Sequence, residues 1–413
     1  MISAFILRER AYLSQLRPEE RGLIVGSFFY ALAAPILTIF SNTYLWRQSP
    51  DAVVLALFNV GFFAGLPIGF YLNGFLLRRF ASARLYFLGC LLQGVVPMVL
   101  VTLGAQASGL ALPLGLALGV SGGIYWGNRN FLTSRHTAGP KRFKFLSLDM
   151  TAVTTAGILS PIVTGAFLTL GERTGLYAVQ SAYEIAAVFA LLSLFVAGVG
   201  VARSIRAKDT LSALTVHGTG RDWNRLRSIE VLHGAVHGFE AVIPIVILLV
   251  FVGLEDSIGA VKSYTAALAA LSLYIVGRYV KHRHHAGVLG FWTLATAIGR
   301  GTFAILSSLG GAIAMFTADG LSGSWRWASA TAVMYETVEA ETAGHDGSLR
   351  YAYITDRELF LNIGRVASLF LFILLFRALP ETTIRYGLLL PILAQIPLVL
   401  LTKKQTNHLP HIS

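Results

Sequence analysis

The chain has 413 residues, of which 55% are hydrophobic and only 13% charged, with a mean hydropathy of +0.65. Soluble proteins carry about 25% charged residues, so half that fraction over this length means that lipid covers much of the surface, and it excludes a disordered chain, a nucleic-acid-binding domain and a secreted disulfide scaffold. The net charge of +12 is explained below by its distribution, and the single cysteine, Cys90, allows neither an internal disulfide nor a cysteine metal cluster.

Crossing about 30 Å of hydrocarbon takes about 20 apolar residues in helix. Twelve stretches qualify: 22–45, 52–77, 84–105, 109–132, 146–170, 177–201, 229–253, 259–280, 287–309, 312–336, 354–376 and 384–402. They are too long, and alternate too little, for barrel strands. In the tenth, Asp319, Gly320, Ser322, Gly323, Ser324 and Arg326 interrupt the apolar run, so its outer end could instead begin near Gly323. Forty-one glycines suit closely packed membrane helices, where small residues let backbones approach. No cleavable signal is expected ahead of the first span, because the apolar run after the arginines at 8, 10, 17 and 21 is long enough to cross.

With the N-terminus inside, the inner segments hold 25 of the 33 Lys and Arg residues and the outer segments five: Arg47, Arg173, Lys262, Arg377 and Arg385. The remaining three, Arg300, Arg326 and Arg365, fall within spans. This asymmetry predicts a multi-pass membrane protein with both termini cytoplasmic. The positive charge then faces anionic lipid headgroups and needs no nucleic-acid partner. The longest polar interval, 202–228, predicts a basic cytoplasmic linker between six-span units at 1–201 and 229–413.

Six spans on either side of a central loop is the layout of two repeats around a midplane site. Loop 2–3 runs from Gly69 through Gly74, Arg78, Arg79 and Ala81 to Arg84, and loop 8–9 from Gly277 through Arg278, Lys281, His282, Arg283, His284 and His285 to Gly287; both are short, basic and bracketed by glycine. The loop 2–3 segment resembles the signature of the major facilitator superfamily: Gly74, Arg79 and Arg84 match, while Arg78 or Leu77 replaces the acidic residue and Ala81 the second glycine. The strings Gly123–Asn130 and Arg357–Arg365 resemble those of a bacterial branch of that superfamily. The resemblance spans essentially the whole chain and implies an all-α membrane protein of twelve transmembrane helices in two pseudo-symmetric six-helix bundles, with Arg78, Arg79 and Arg84 at a gate between the halves.

Ionisable groups in the bilayer cost roughly 2.5–3.5 kcal/mol each on insertion scales and are functional candidates by default. In the seventh span His233, His237 and Glu240 follow at spacings of four and three, on one helical face. This set suits a protonatable pair of Glu240 with His237, or alternatively divalent-metal ligation, or plain interhelical hydrogen bonding. Arg300 and Arg365 offer planar forks to an anionic substrate, or pair internally with Glu240, Glu358 or Asp319. Glu184, about seven residues in from the outer end of the sixth span, is a second candidate proton site, and Asn42 and Tyr30 are polar groups suited to lining a cavity. Asp149 opens the fifth span and Arg129 ends the fourth between Asn128 and Asn130; both are gate or anchoring candidates, as is Glu358. The 281–285 run reads as a charged turn rather than a metal site. Pro67, Pro161 and Pro244 mark expected bends.

No phosphate-binding Gly-x4-Gly-Lys-Ser/Thr, Gly-x-Ser-x-Gly or His-Glu-x-x-His motif occurs, which speaks against an ATPase or a common hydrolase. The expectation is a monomeric, cofactor-free secondary transporter of a small solute, proton-coupled through Glu240 and His237 and surrounded by membrane lipid. The alternatives are a divalent-metal or metal-chelate transporter, a non-transporting sensor, or a lipid flippase on the same fold.

Overall fold

The computed structural model describes residues 16–136, 142–205, 211, 220–279, 285–342 and 347–408. The turn residues 281–284 and, in the 202–228 interval, residues 206–210 and 212–219 lie outside the described residues. Twelve long helices run through the rest: α1 (Pro18–Gln48), α2 (Ala52–Leu76), α3 (Ser82–Leu103), α4 (Ala111–His136), α5 (Arg142–Thr174), α6 (Val179–Ser204), α7 (Arg221–Val252), α8 (Glu255–Tyr279), α9 (His285–Leu306), α10 (Leu309–Glu341), α11 (Gly347–Ala378) and α12 (Leu390–His408). Among the described residues ten helices are long and apolar enough to cross a membrane. The two that fall short in apolar composition are α4 and α10, which carry the Gly-Asn-Arg-Asn and Asp-Gly-Leu-Ser-Gly-Ser-Trp-Arg strings.

Helix pairing repeats between the halves. In the first six helices α1 packs on α5 and α6, α2 on α4, and α3 on α4 and α6. In the last six α7 packs on α11 and α12, α8 on α10, and α9 on α10 and α12. Each pair in the second set is the first set shifted by six. The main packing between halves, α5 on α8 and α2 on α11, exchanges under the same shift. The first helices of the halves also echo: π-helical turns lie at Ile36–Phe40, directly after Pro35 of α1, and at Leu248–Val252, four residues after Pro244 of α7. Proline removes a backbone donor, and the wider turn absorbs the break. Pro67 and Pro161 lie inside α2 and α5, which continue through them as α-helix.

The closest packing is made by glycine. Gly61, Gly65 and Gly69 on α2 face Gly115, Gly119 and Gly123 on α4, one per helical turn on each side. A Cβ at Gly115 would stand 1.9 Å from the Phe58 carbonyl oxygen, and one at Gly65 would stand 2.5 Å from that of Leu116. Only glycine permits this approach, and backbone-to-backbone packing replaces the hydrophobic drive that lipid cannot supply. Between halves, a Cβ at Gly165 of α5 would meet the Glu255 carbonyl oxygen at 2.2 Å, and one at Gly259 of α8 that of Pro161 at 2.2 Å.

The tenth span does not begin near Gly323: α10 runs unbroken from Leu309, capped by Ser308, whose hydroxyl accepts from the Gly311 amide at 3.3 Å. Of the polar residues that suggested a break, Ser322 is buried, and Asp319 and Arg326 are half-buried against neighbouring helices. Asp319 and Arg326 are seven residues apart, two turns on one face, and both meet charged partners, while Ser322 bonds Thr296 at 2.7 Å. Lys262 also departs from the outer-loop placement: α8 starts at Glu255, which puts Lys262 about two turns inside the helix, within a cavity wall.

Candidate functional site: a buried ionic cluster in the second half

Four helices bring five charged side chains to one cavity of about 180 Å³: Glu240 from α7, Lys262 from α8, Arg300 from α9, and Asp319 and Arg326 from α10. Arg326 grips Glu240 with two bonds, Nη1 to Oε1 at 2.8 Å and Nη2 to Oε2 at 2.5 Å. Arg300 donates to the same carboxylate and to Asp319 Oδ1, the latter at 3.2–3.3 Å. The Arg300 side chain is 2% exposed, whereas those of Glu240 and Asp319 are 14% and 21% exposed, so the cluster is anchored in the bundle and open on its carboxylate side. Lys262 makes no ion pair among the described residues; its ammonium lies 5.8 Å from the Phe316 ring centre.

This geometry corrects the expected pairing of Glu240 with His237. The Glu240 carboxylate is taken by two guanidiniums, which offer more donors at fixed angles than an imidazole does. His237 stacks edge-on against Phe63 of α2 at 5.6 Å, at the meeting of the two halves. His233 is fully buried one turn away. The three residues share a helical face, as the spacing predicts, but do not converge: among the described residues no three His, Cys, Asp or Glu side chains come together as a metal site. The ligation alternative for His233, His237 and Glu240 therefore lacks its geometry.

Arg365 does not join this cluster. Its guanidinium sits 4.8 Å from the Phe63 ring centre and donates to Asn362 Oδ1 at 3.0 Å. Two turns before it on α11, Arg357 joins Glu358 at 2.5 Å and the fully buried Glu230 of α7 at 3.1 Å. In the first half Arg129 pairs with Asp149 at 2.6 Å, and Asn42 accepts from Asn59 at 2.9 Å beside the α1 π-turn. Tyr30 stacks on Tyr125 with 3.9 Å between ring centres. Glu184 is exposed near the start of α6, where it accepts from Gln180 at 3.3 Å. Arg78, Arg79 and Arg84 are exposed around the α2–α3 turn and make no ion pair among the described residues.

At the predicted outer end the halves are fastened by charge. Arg47 of α1 forms an ion pair with the buried Glu255 of α8, which also accepts from Tyr183 of α6 at 2.7 Å. Arg173 of α5 pairs with Asp256 at 2.6 Å. Both carboxylates open α8, where negative charge favours the helix N-terminus. Sequence spacing could not suggest these contacts, since more than 70 residues separate each pair.

No family model matches the chain. It is 24% identical over 375 residues to the uncharacterized protein YqgE of Bacillus subtilis (strain 168), covering 87% of this chain and 83% of that one. It is 32% identical over 143 residues, 35% of this chain and 66% of the other, to an uncharacterized protein in the sodM 3' region of Geobacillus stearothermophilus. A bacterial homologue of the iron transporter ferroportin in its inward-facing state matches with a TM-score of 0.66 at 15% identity, over 94% of this chain and 99% of that one. Its outward-facing state matches at 0.62, with 17% identity over 95% and 100%. A structure described as a bacterial metal transporter also matches at 0.62, with 14% identity over 95% and 99%. The fold is the one these transporters share. The chain is thus an all-α, multi-pass membrane protein, and its likeness to the major facilitator superfamily is one of architecture.

Proposed function

We propose that this protein is a secondary transporter that works by alternating access and carries a metal ion or a metal complex. The observation that supports it most is the ionic fastening of the halves at one end, by Arg47 with Glu255 and Arg173 with Asp256, on a fold whose neighbours were solved in both inward- and outward-facing states. A set of exchangeable ion pairs closes one side, and the prolines and π-turns of α1 and α7 give both leading helices a place to bend. The metal cargo is taken from the neighbours described as iron and metal transporters. It replaces the unspecified solute as the leading reading.

Proton coupling belongs to the same proposal, with Asp319 as the carrier instead of the Glu240–His237 pair. Asp319 shares Arg300 with Glu240 through longer bonds, so it is the carboxylate that can be released without stranding an arginine. The test is flux into proteoliposomes that hold a metal-quenched dye, with manganese, iron and cobalt supplied free and as chelates. Uptake driven by a pH gradient and lost in Asp319→Asn is the expected result. No flux of any metal form, with an organic solute moving instead, would overturn the cargo.

A second reading, a lipid flippase, has one observation behind it. An apolar groove of about 820 Å³ runs between α2 and α11, with Phe63, Pro67, Phe75, Ile363 and Phe370 in its walls. Scrambling of fluorescent lipid in the same vesicles, blocked by Ile363→Trp, would favour it over metal flux.

A further inference from the structure

The cavity at Glu240 has a charge balance unlike that of a site for a bare cation. Three cationic side chains, Lys262, Arg300 and Arg326, face two carboxylates, Glu240 and Asp319, which leaves one positive charge without a counter-charge in the wall. Two donors are also unspent. Arg326 uses both terminal nitrogens on Glu240, while its Nε–H is buried with no acceptor. The Lys262 ammonium makes no ion pair among the described residues and lies 5.8 Å from the centre of the Phe316 ring. An unmet donor away from water costs about 1–3 kcal/mol, more if charged, so a wall that keeps the Arg326 Nε–H in that state beside an unpaired ammonium is built for an acceptor. A divalent ion would meet the opposite: repulsion from three cations, and carboxylates already held by guanidiniums.

Resting on the transporter reading above, we propose that this cavity binds a small polycarboxylate anion of the chelator class, so that the metal travels as its anionic complex. One ligand carboxylate accepts from Lys262 Nζ and Arg326 Nε, and the ligand's remaining oxygens hold the metal, so that the protein need not supply a cluster of metal ligands. The volume of about 180 Å³ corresponds to roughly six water molecules, room for a compact organic acid but not for a peptide or a multi-ring chelator. Arg300, 2% exposed and already bonded to both carboxylates, acts as the fixed counter-charge that keeps Glu240 and Asp319 in place.

The test is calorimetric titration of the purified full-length protein in detergent with citrate, ferric citrate, inorganic phosphate and free manganese. Citrate and ferric citrate are expected to bind, with affinity falling at least tenfold in Lys262→Met and in Arg326→Lys. The second variant keeps the charge and removes the guanidinium fork with its Nε donor, so its loss reports hydrogen-bond geometry and not net charge. Thermal scans of both variants without ligand show whether they remain folded. The proposal is overturned if citrate fails to bind the folded wild type, if both folded variants bind it unchanged, if phosphate binds as well as citrate, or if free manganese binds and citrate does not. Because binding needs no gradient, citrate binding without vesicle flux would leave this site standing and sink the transporter reading alone.

Discussion

Replacing Glu240 by glutamine keeps the shape of the side chain and removes one of the two negative charges that face Arg300 and Arg326. The structure divides the consequence unequally. Arg300 keeps Asp319 at 3.2 Å, while Arg326 loses both of its charged acceptors and stays 12% exposed. Breaking a buried pair by removing one partner costs about 3–5 kcal/mol. With one arginine still paired and the carboxylate 14% exposed, the lower end, about 3 kcal/mol, is expected. Most of that cost is the stranded Arg326 charge, so Arg326→Met in the Glu240→Gln background should restore at least about 1 kcal/mol, a coupling within the usual range for contacting residues. Equilibrium unfolding of all four proteins in mixed micelles measures the cycle. A loss below about 1 kcal/mol in Glu240→Gln, or strict additivity in the double variant, would refute the account of the cluster as a coupled ion-pair unit.

Gly119→Leu should prevent folding or cost more than about 4 kcal/mol, because even a Cβ there would sit 2.1 Å from the Phe62 carbonyl oxygen; a monodisperse, wild-type-stable variant would sink the close-packed α2–α4 seam. Glu255→Gln weakens the fastening of Arg47 and Tyr183, so spin labels across the α1 and α8 ends should report a population with longer separation than in wild type, and an unchanged distribution would count against a gate. Cys90 is fully buried and should resist maleimide until the protein unfolds, which makes its labelling rate a ready measure of global opening; fast labelling of the native protein would contradict its place in the core. If the positive-inside orientation holds, an impermeant thiol reagent should label Asp51→Cys from outside whole cells, and Arg84→Cys only after permeabilisation.

The helices and their order were legible because a helix in lipid must satisfy its own backbone and cover itself with apolar side chains, both local properties. Among the described residues each apolar stretch lies in one long helix and overruns its ends by at most three residues, except 384–402, which runs across the short Pro380–Tyr386 helix and α12. The glycine stripes on α2 and α4 were also in plain view at four-residue spacing, although only the facing backbones show that the two stripes meet. The failures share one cause. Asp319 and Arg326 looked like a break in α10, and Glu240 looked like the partner of His237, because spacing along a single helix says nothing about what the neighbouring helix presents. Lys262 was misplaced for a related reason: a lone lysine near a span end reads as a loop residue until tertiary structure supplies a cavity for it.

By itself, the sequence determined that the chain is helical and crosses a membrane many times, since hydropathy is a sum over nearby residues. Which charges meet was decided only by tertiary structure. Glu240 lies 60 residues from Arg300 and 86 from Arg326 along the chain, and Arg47 lies 208 from Glu255. Ion pairing depends on distance in space, and helix packing sets that distance through the shapes of glycine seams and side chains that no single segment encodes.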